Sequence, residues 1–515
     1  MYLYLKYKTL FFKLLTVFIL ILGLSLNASA TVLKVGGTQL PANLGNPYTA
    51  IGVTPGSILG AIFDGLTQID ENGTLQPALA TSWTNDGHTK WTFKIRKNVV
   101  FHNGIVNSSQ NVADNLNNII KKENRFYPIA IELKSIKKAV SINTDTVEIY
   151  TNQPDPMLAK RLSLMRFVDF SLWKSIGADE YARLPVGTGP YELVDWNKNG
   201  AISLSAHLQS WRPQKNITTL KIFTLKDPIS RTQALLSGQI DMALGLTPED
   251  INTLKSQGKK IQIHNGKQVM AIALPNTLKT QSPLNSRLVR QAINHAVDRK
   301  SISEQLLDST FQIASQGATP ANIGYNKSIV GYPYDINKAQ DLMKKAGYSE
   351  GFKLTIEVLV GMGPSDSLIY QKIAQDLEKI GIMVTIKTST YPERTRKYFT
   401  GDWGNVDAFS ILWNNAPYND TARSLETFSC LKNNPFFCDA ETSVFITNAN
   451  LEMNEKKRQK KLESIMLKMH HLAPSLNIIE YGSVIGYGSN IHNIIVRPVG
   501  IAYEDILVKQ SKHND

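Results

Sequence analysis

The sequence has 515 residues, 42% of them hydrophobic, and a net charge of +13 with histidine counted as neutral. An apolar share of that size excludes an intrinsically disordered chain, and the length calls for more than one core. Two cysteines exclude a disulfide-built scaffold, and basic charge that does not cluster with aromatic residues argues against a nucleic-acid partner.

Taken in chain order, Met1 to Lys13 holds Lys6, Lys8 and Lys13 with no acid, Leu14 to Leu26 is almost wholly apolar, and Ala28-Ser29-Ala30 is small. This is the layout of a secretory signal peptide, which predicts cleavage after Ala30. The apolar run of about a dozen residues is short of the roughly 20 that cross a bilayer. No cysteine follows for lipid attachment, so a soluble periplasmic protein is expected.

Trp91 to Gly104 alternates apolar and polar residues and predicts a half-exposed strand ending in a turn at Asn103-Gly104, followed by a helix over Val112 to Ile120. Pro185 to Tyr191, "PVGTGPY", places Gly187 and Gly189 where positive φ or close backbone approach is expected. Ser230 is the expected cap of a helix over Arg231 to Leu236, ended by Gly238 and followed by a strand over Ile240 to Leu244. Glu249 and Asp250 follow Thr247-Pro248, where acids suit a helix start. Asp335 caps a helix through Lys345 with Gly347 as its stop, and the strand Phe352 to Val360 comes next. A helix near Asp366 to Lys379 stops around Gly381 and yields to the strand Ile382 to Lys387. Alternating helices and strands imply sheets covered by helices.

Cys430 and Cys438 are close in sequence, and in an oxidising compartment a local disulfide is the expected pairing. Leu462, Ile465, Met466, Met469 and Leu472 recur at helical spacing, which makes the lysines of the run Glu455 to Lys461 the wet face of an amphipathic helix. His470 and His471 are adjacent, point about 100° apart on a helix and make a poor metal pair. No nucleophile elbow, zincin motif, P-loop or C-x-x-C occurs. A binding scaffold rather than an enzyme is therefore expected, with no cofactor.

Six stretches carry a resemblance. "LATSWTNDGHTKWTFKIRKNVVFHNG", "PVGTGPYELVDWN", "RTQALLSGQIDMAL", "LVRQAINHAVDRKSI", "DINKAQDLMKKAGYSEGFKLTIEV" and "QDLEKIGIMVTIKT" stand in the order found in the family 5 periplasmic solute-binding proteins. These are the peptide, nickel and opine receptors of ABC importers, and the likeness runs from about Leu33 to Val508. The resemblance implies an α/β clamshell of the type II periplasmic-binding-protein kind, with two lobes joined by crossover strands. Residues 31–48, 185–283 and 482–515 would form the first lobe, residues 49–184 an inserted domain and residues 284–481 the second lobe. A monomer is implied that closes on a small ligand and presents it to a membrane permease.

For the ligand site the resemblance points to "SILWNNAPYNDTARS". Peptide receptors of the family place an aspartate shortly after the tryptophan, whereas this chain has Asn414 and Asn415, with Asp420 a few residues on. Nickel receptors carry tryptophan followed by "GAPY", close to the "NNAPY" after Trp413. Trp413 and Tyr418 would then be flat walls, and Arg166 and Arg125 would bind a carboxylate through planar guanidinium forks. Pairing of Arg166 with Asp169, a solvated Arg125 and a core Trp413 are the structural alternatives. The ligand stays open between a peptide and a metal chelate. A periplasmic hydrolase or a chaperone-like partner protein is the competing function.

Overall fold

The computed structural model describes residues 31–41, 43–49, 53–197, 200–360, 365–498 and 500–509. The expected signal peptide, residues 1–30, lies outside the described residues, and no helix among those described is long and apolar enough to cross a membrane.

Ten strands form the main sheet, ordered Ile382–Thr388, Phe352–Val358, Ala408–Asn414, Lys260–Ala273, Ser475–Tyr487, Met242–Leu246, Val32–Gly37, Thr219–Thr224, Ala201–Ala206 and Tyr191–Asn197. Val32–Gly37 runs parallel to both of its neighbours, and so does Phe352–Val358. Parallel strands need a crossover: helix Asp366–Glu378 joins the neighbours Phe352–Val358 and Ile382–Thr388, and helix Pro228–Leu236 joins the two strands that flank Val32–Gly37. The sheet thus has two α/β halves. Between them lie its two longest strands, Lys260–Ala273 and Ser475–Tyr487, paired antiparallel.

The register of that central pair shifts between Met270 and Ala271 and breaks more widely between His264 and Gln268, opposite Tyr481 to Ser483. On one side Lys260 to His264 pair with Ser483 to Tyr487, which also pair with Met242–Leu246 of the first half. On the other, Gln268 to Ala273 pair with Ser475 to Tyr481 and with Ala408–Asn414 of the second half. A Cβ on Gly266 would overlap the Tyr481 carbonyl oxygen, so this crossing of strands demands glycine.

A separate four-stranded antiparallel sheet, Ala80–Asn85, Lys90–Ile95, Thr146–Thr151 and Ile136–Asn143, lies within the segment read as an inserted domain. Its core is continuous with that of the first half: Phe63, Phe93, Leu116, Ile149 and Tyr181 belong to one buried cluster with Leu33, Val35, Tyr191 and Ile222.

Local chemistry accounts for most element ends. Asp335 accepts a hydrogen bond from the Lys338 amide at the start of Ile336–Lys345, as its sequence predicts. Asp227, not Ser230, caps Pro228–Leu236, because Pro228 suits the first helical position and Asp227 accepts the Ser230 amide. The strand after it begins at Met242, since the Ile240 amide is still bonded back to Ala234. Gly187 and Gly189 have no positive φ. They are required by close approach, for a Cβ on either would overlap carbonyl oxygens of Ala61 or Ile62 at the end of helix Val53–Ile62. Thr188, fully buried, donates to Asp64 at 2.8 Å and fastens the same crossing.

Candidate functional site

The second half of the sheet meets the segment 128–161 across a polar seam. Pro128 fixes the start of a short helix that ends at Glu132, whose carboxylate faces the loop following Ala408–Asn414. Glu132 accepts from the Tyr418 hydroxyl and from Arg423 Nε at 3.0 Å, and Arg161 Nη1 lies 3.6 Å away. Burial by itself would raise the Glu132 carboxyl, but Arg423, Tyr418 and Arg161 outweigh it and hold the group below the usual range. Tyr418 is pushed well above its ordinary value, first by burial and then by the Glu132 charge. Arg161 also lies 3.4 Å from Asp155 and stacks 5.5 Å from the Tyr418 ring centroid.

A second ion cluster sits beside it. Asp420 is fully buried and accepts both Nη atoms of Arg458, at 2.6 and 2.9 Å, with Lys160 of the facing segment at 3.7 Å. Burial opposes ionisation of Asp420, yet Arg458 holds it below its ordinary value. Lys160 is itself lowered, because burial outweighs the pull of Asp420, so Arg458 is the cation that holds this carboxylate. At the strand break, Lys267 donates to the Glu71 carbonyl oxygen at 3.1 Å, and the turn at Gly73 rests against Asn419.

Of the residues singled out from sequence, the structure brings Trp413, Asn414, Asn415 and Tyr418 together. Trp413 is buried, stacks on Phe428 with centroids 4.2 Å apart and donates Nε1–H to Ser475 at 2.9 Å. It is a core residue here. Asn415 is fully buried and donates to the Gly317 carbonyl and to Asn322, fixing the loop. Asn414 accepts Arg423 at its carbonyl oxygen. Tyr418 presents its hydroxyl to Glu132.

Arg166 and Arg125 do not join this group. Arg166 lines a cavity of about 40 Å³ between the segment 53–183 and the first half, with Gly60, Asp64, Arg212, Arg497 and Glu504, and no residue of the second half lines it. Asp169 caps helix Phe170–Ile176 and accepts Asn103, so it is not the partner of Arg166. Burial lowers Arg166 to about 10 despite the attraction of Asp64. Arg125 is exposed at the end of the turn Lys122–Asn124.

Asp420 is already neutralised and is not available to a ligand ammonium. Cys430 and Cys438 are paired in a disulfide. His470 stacks on Tyr332 at 4.5 Å, and burial lowers it to about 4. Among the described residues no group of three or more His, Cys, Asp or Glu side chains is placed to hold a metal ion.

Sequence reading missed Glu132, Arg161, Arg423 and Arg458. Lys456, Lys457, Lys460 and Lys461 are exposed, as their reading as the wet face predicts, whereas Arg458 among them is buried in helix Glu455–Leu472. Its position, four residues before Leu462 on the apolar face, was the available signal.

The profile of the bacterial extracellular solute-binding proteins, family 5 middle, matches residues 74–435. Di/tripeptide-binding protein 1 of Pseudomonas aeruginosa is 26% identical over 477 residues, covering 85% of this chain and 87% of that one. The periplasmic binding protein DppA from Helicobacter pylori, solved with the peptide STSA, superposes with a TM-score of 0.78 at 23% identity over 93% of this chain and 98% of that one. NikA from Staphylococcus aureus, solved with Ni(L-His)2, gives a TM-score of 0.78 at 21% identity over 93% and 100% of the two chains. At these identities the two structures speak to the fold, a two-lobe binding-protein architecture.

Proposed function

The chain belongs to the bacterial extracellular solute-binding proteins of family 5, and from that membership we propose that it is the periplasmic receptor of an ABC importer, taking a small peptide-like solute between its two halves. The observation that carries this reading is the register break at Gly266, which marks where the two halves of the sheet join, together with the polar contacts through which the segment 53–183, packed on the first half, faces the second. Such a joint permits closure by a few backbone dihedrals. A solute that touches both halves binds the closed state better and shifts the population by that differential affinity; the closed form is what a permease reads. No covalent chemistry is needed, and a monomer suffices.

A peptide-like solute is favoured by the likeness to a di/tripeptide-binding protein over most of both chains. A metal chelate is the second reading, supported by the run "WNNAPY" from Trp413 to Tyr418. Under either reading residues 1–30 direct export, and under the second Arg166 or Arg125 would have to reach the chelate in a more open state. Calorimetry of the ligand-free protein against di- and tripeptides and against Ni(L-His)2 tests the choice. Peptide binding with no heat from the nickel complex is the expected result. Binding of the nickel complex alone would select the chelate, and no binding by any probe would overturn the receptor reading.

A further inference from the structure

The carboxylates along the seam are matched by cations. Glu132 has Arg423 and Arg161, Asp420 has Arg458 and Lys160, and Asp155 has Arg161. Glu480 is different. It sits on the crossover strand Ser475–Tyr487, one residue before the break in pairing. Its amide donates to the Gln312 carbonyl oxygen at 2.8 Å, but its carboxylate makes no hydrogen bond or ion pair with any described residue. The lysine of the facing strand at the break, Lys267, has its ammonium on the Glu71 carbonyl oxygen instead.

Register fixes where Glu480 stands relative to the loop at Trp413. Val269 is opposite Trp413 in one neighbouring strand and opposite Glu480 in the other. Directly opposed residues of antiparallel strands share a face, so Trp413, Val269 and Glu480 form one row across three strands. With strands about 4.8 Å apart, the backbone of Glu480 is roughly 10 Å from that of Trp413. The side chain is half-buried, and burial pushes its carboxyl up to about 7, with no cation to oppose the shift. An uncompensated, half-buried carboxylate at the junction of two halves, in a chain of net charge +13 whose seam acids Glu132, Asp155 and Asp420 are paired, is an arrangement that a cationic solute would complete.

We infer that Glu480 is the counter-charge for an ammonium group of the solute held at the junction, an inference that rests on the receptor reading and narrows its ligand to molecules bearing a primary amine. The ammonium is either a peptide N-terminus or a basic side chain. In both cases it supplies the charge-assisted hydrogen bonds that Glu480 lacks.

Calorimetry with trialanine, N-acetyl-trialanine and N-acetyl-Ala-Lys-Ala separates these sources, using wild type, Glu480→Gln and Glu480→Asp. The expected result is that trialanine binds wild type, loses about tenfold to a hundredfold in affinity to Glu480→Gln, and recovers part of it in Glu480→Asp, while N-acetyl-trialanine binds all three equally poorly. Glu480-dependent binding of N-acetyl-Ala-Lys-Ala alone assigns the ammonium to a side chain. Equal affinity of trialanine for wild type and Glu480→Gln overturns the inference while the receptor reading stands. No binding of any of the three peptides to wild type overturns the inference together with the peptide reading. The ligand-free melting temperature of Glu480→Gln, expected at or above that of wild type, shows that a lost affinity is not a lost fold.

Discussion

The segment 53–183 meets its two neighbours in opposite ways. Against the first half of the main sheet it shares one apolar core, in which Phe63, Leu66, Phe167 and Tyr181 pack with Leu33, Tyr191 and Leu204. Against the second half it presents Glu132, Lys160 and Arg161 to Tyr418, Asp420 and Arg423. Apolar surface taken out of water has no comparably favourable separated state, whereas ionised groups regain hydration when parted. The first contact therefore behaves as the interior of one folding unit and the second as a joint that opens. The break at Gly266 and Tyr481 lies between the two halves of the sheet, where such a joint has to bend.

The largest effect should come from the shared core. Phe63→Ala is expected to cost about 3–5 kcal/mol of unfolding free energy through lost burial and the cavity left behind. Chemical denaturation followed by tryptophan fluorescence should still show the segment 53–183 and the first half unfolding in one transition. A separate early transition of that segment would break the comparison.

A smaller effect is expected on acidification. His102 donates from Nε2 across the same contact to the Gly189 carbonyl oxygen at 3.2 Å and accepts the Gly187 amide at Nδ1, and its ring lies 4.9 Å from that of His207. Burial first, with His207 adding, lowers His102 to about 4. A histidine whose folded pKa lies below its unfolded value favours the neutral form, so its contribution is complete above pH 6.5 and is lost as pH falls toward the folded value. At about pH 5 the loss should be ~1–2 kcal/mol for His102, once solvent screening of a partly exposed ring is allowed for. His470, lowered to about 4 in the second half, adds a similar slope. His102→Gln should remove the His102 part, read from unfolding curves between pH 7 and 5; an unchanged slope would remove His102 from the contact's energetics.

How much of this was legible in the sequence follows from the range of the forces involved. Caps and stops such as Asp335, Gly347 and Gly381 act within a turn of their helices, and the strands and helices of the second half lie where the local pattern puts them. The glycines of "PVGTGPY" were recognisable as special, but the reason, the carbonyls of Ala61 and Ile62, is more than a hundred residues away in the chain. The seam was not legible at all. Glu132 and Arg423 are 291 residues apart, and nothing in the spacing of either predicts the other. Arg166 shows the opposite failure: a motif match placed it with Trp413, while the fold directs it into the cavity beside Arg212 and Glu504.

The smallest effect on stability and the sharpest on the comparison belongs to Glu132. Glu132→Gln takes the negative charge from between Arg423 and Arg161, leaving both guanidinium groups facing a neutral amide. In a permanent core this would be severe, because a buried charge would have no partner. Across a joint the protein has an escape: the halves part, and Arg423 returns to water. The closed state should lose about 1.5–3 kcal/mol relative to the open one, a shift of about tenfold or more in their ratio, while unfolding free energy changes by less than about 1 kcal/mol. Small-angle X-ray scattering of the ligand-free variant should accordingly show a larger radius of gyration than wild type, with an unaltered denaturation midpoint. If instead the midpoint fell as far as it does for Phe63→Ala and the radius stayed fixed, the seam would be part of one rigid interior and the two contacts would not differ in kind.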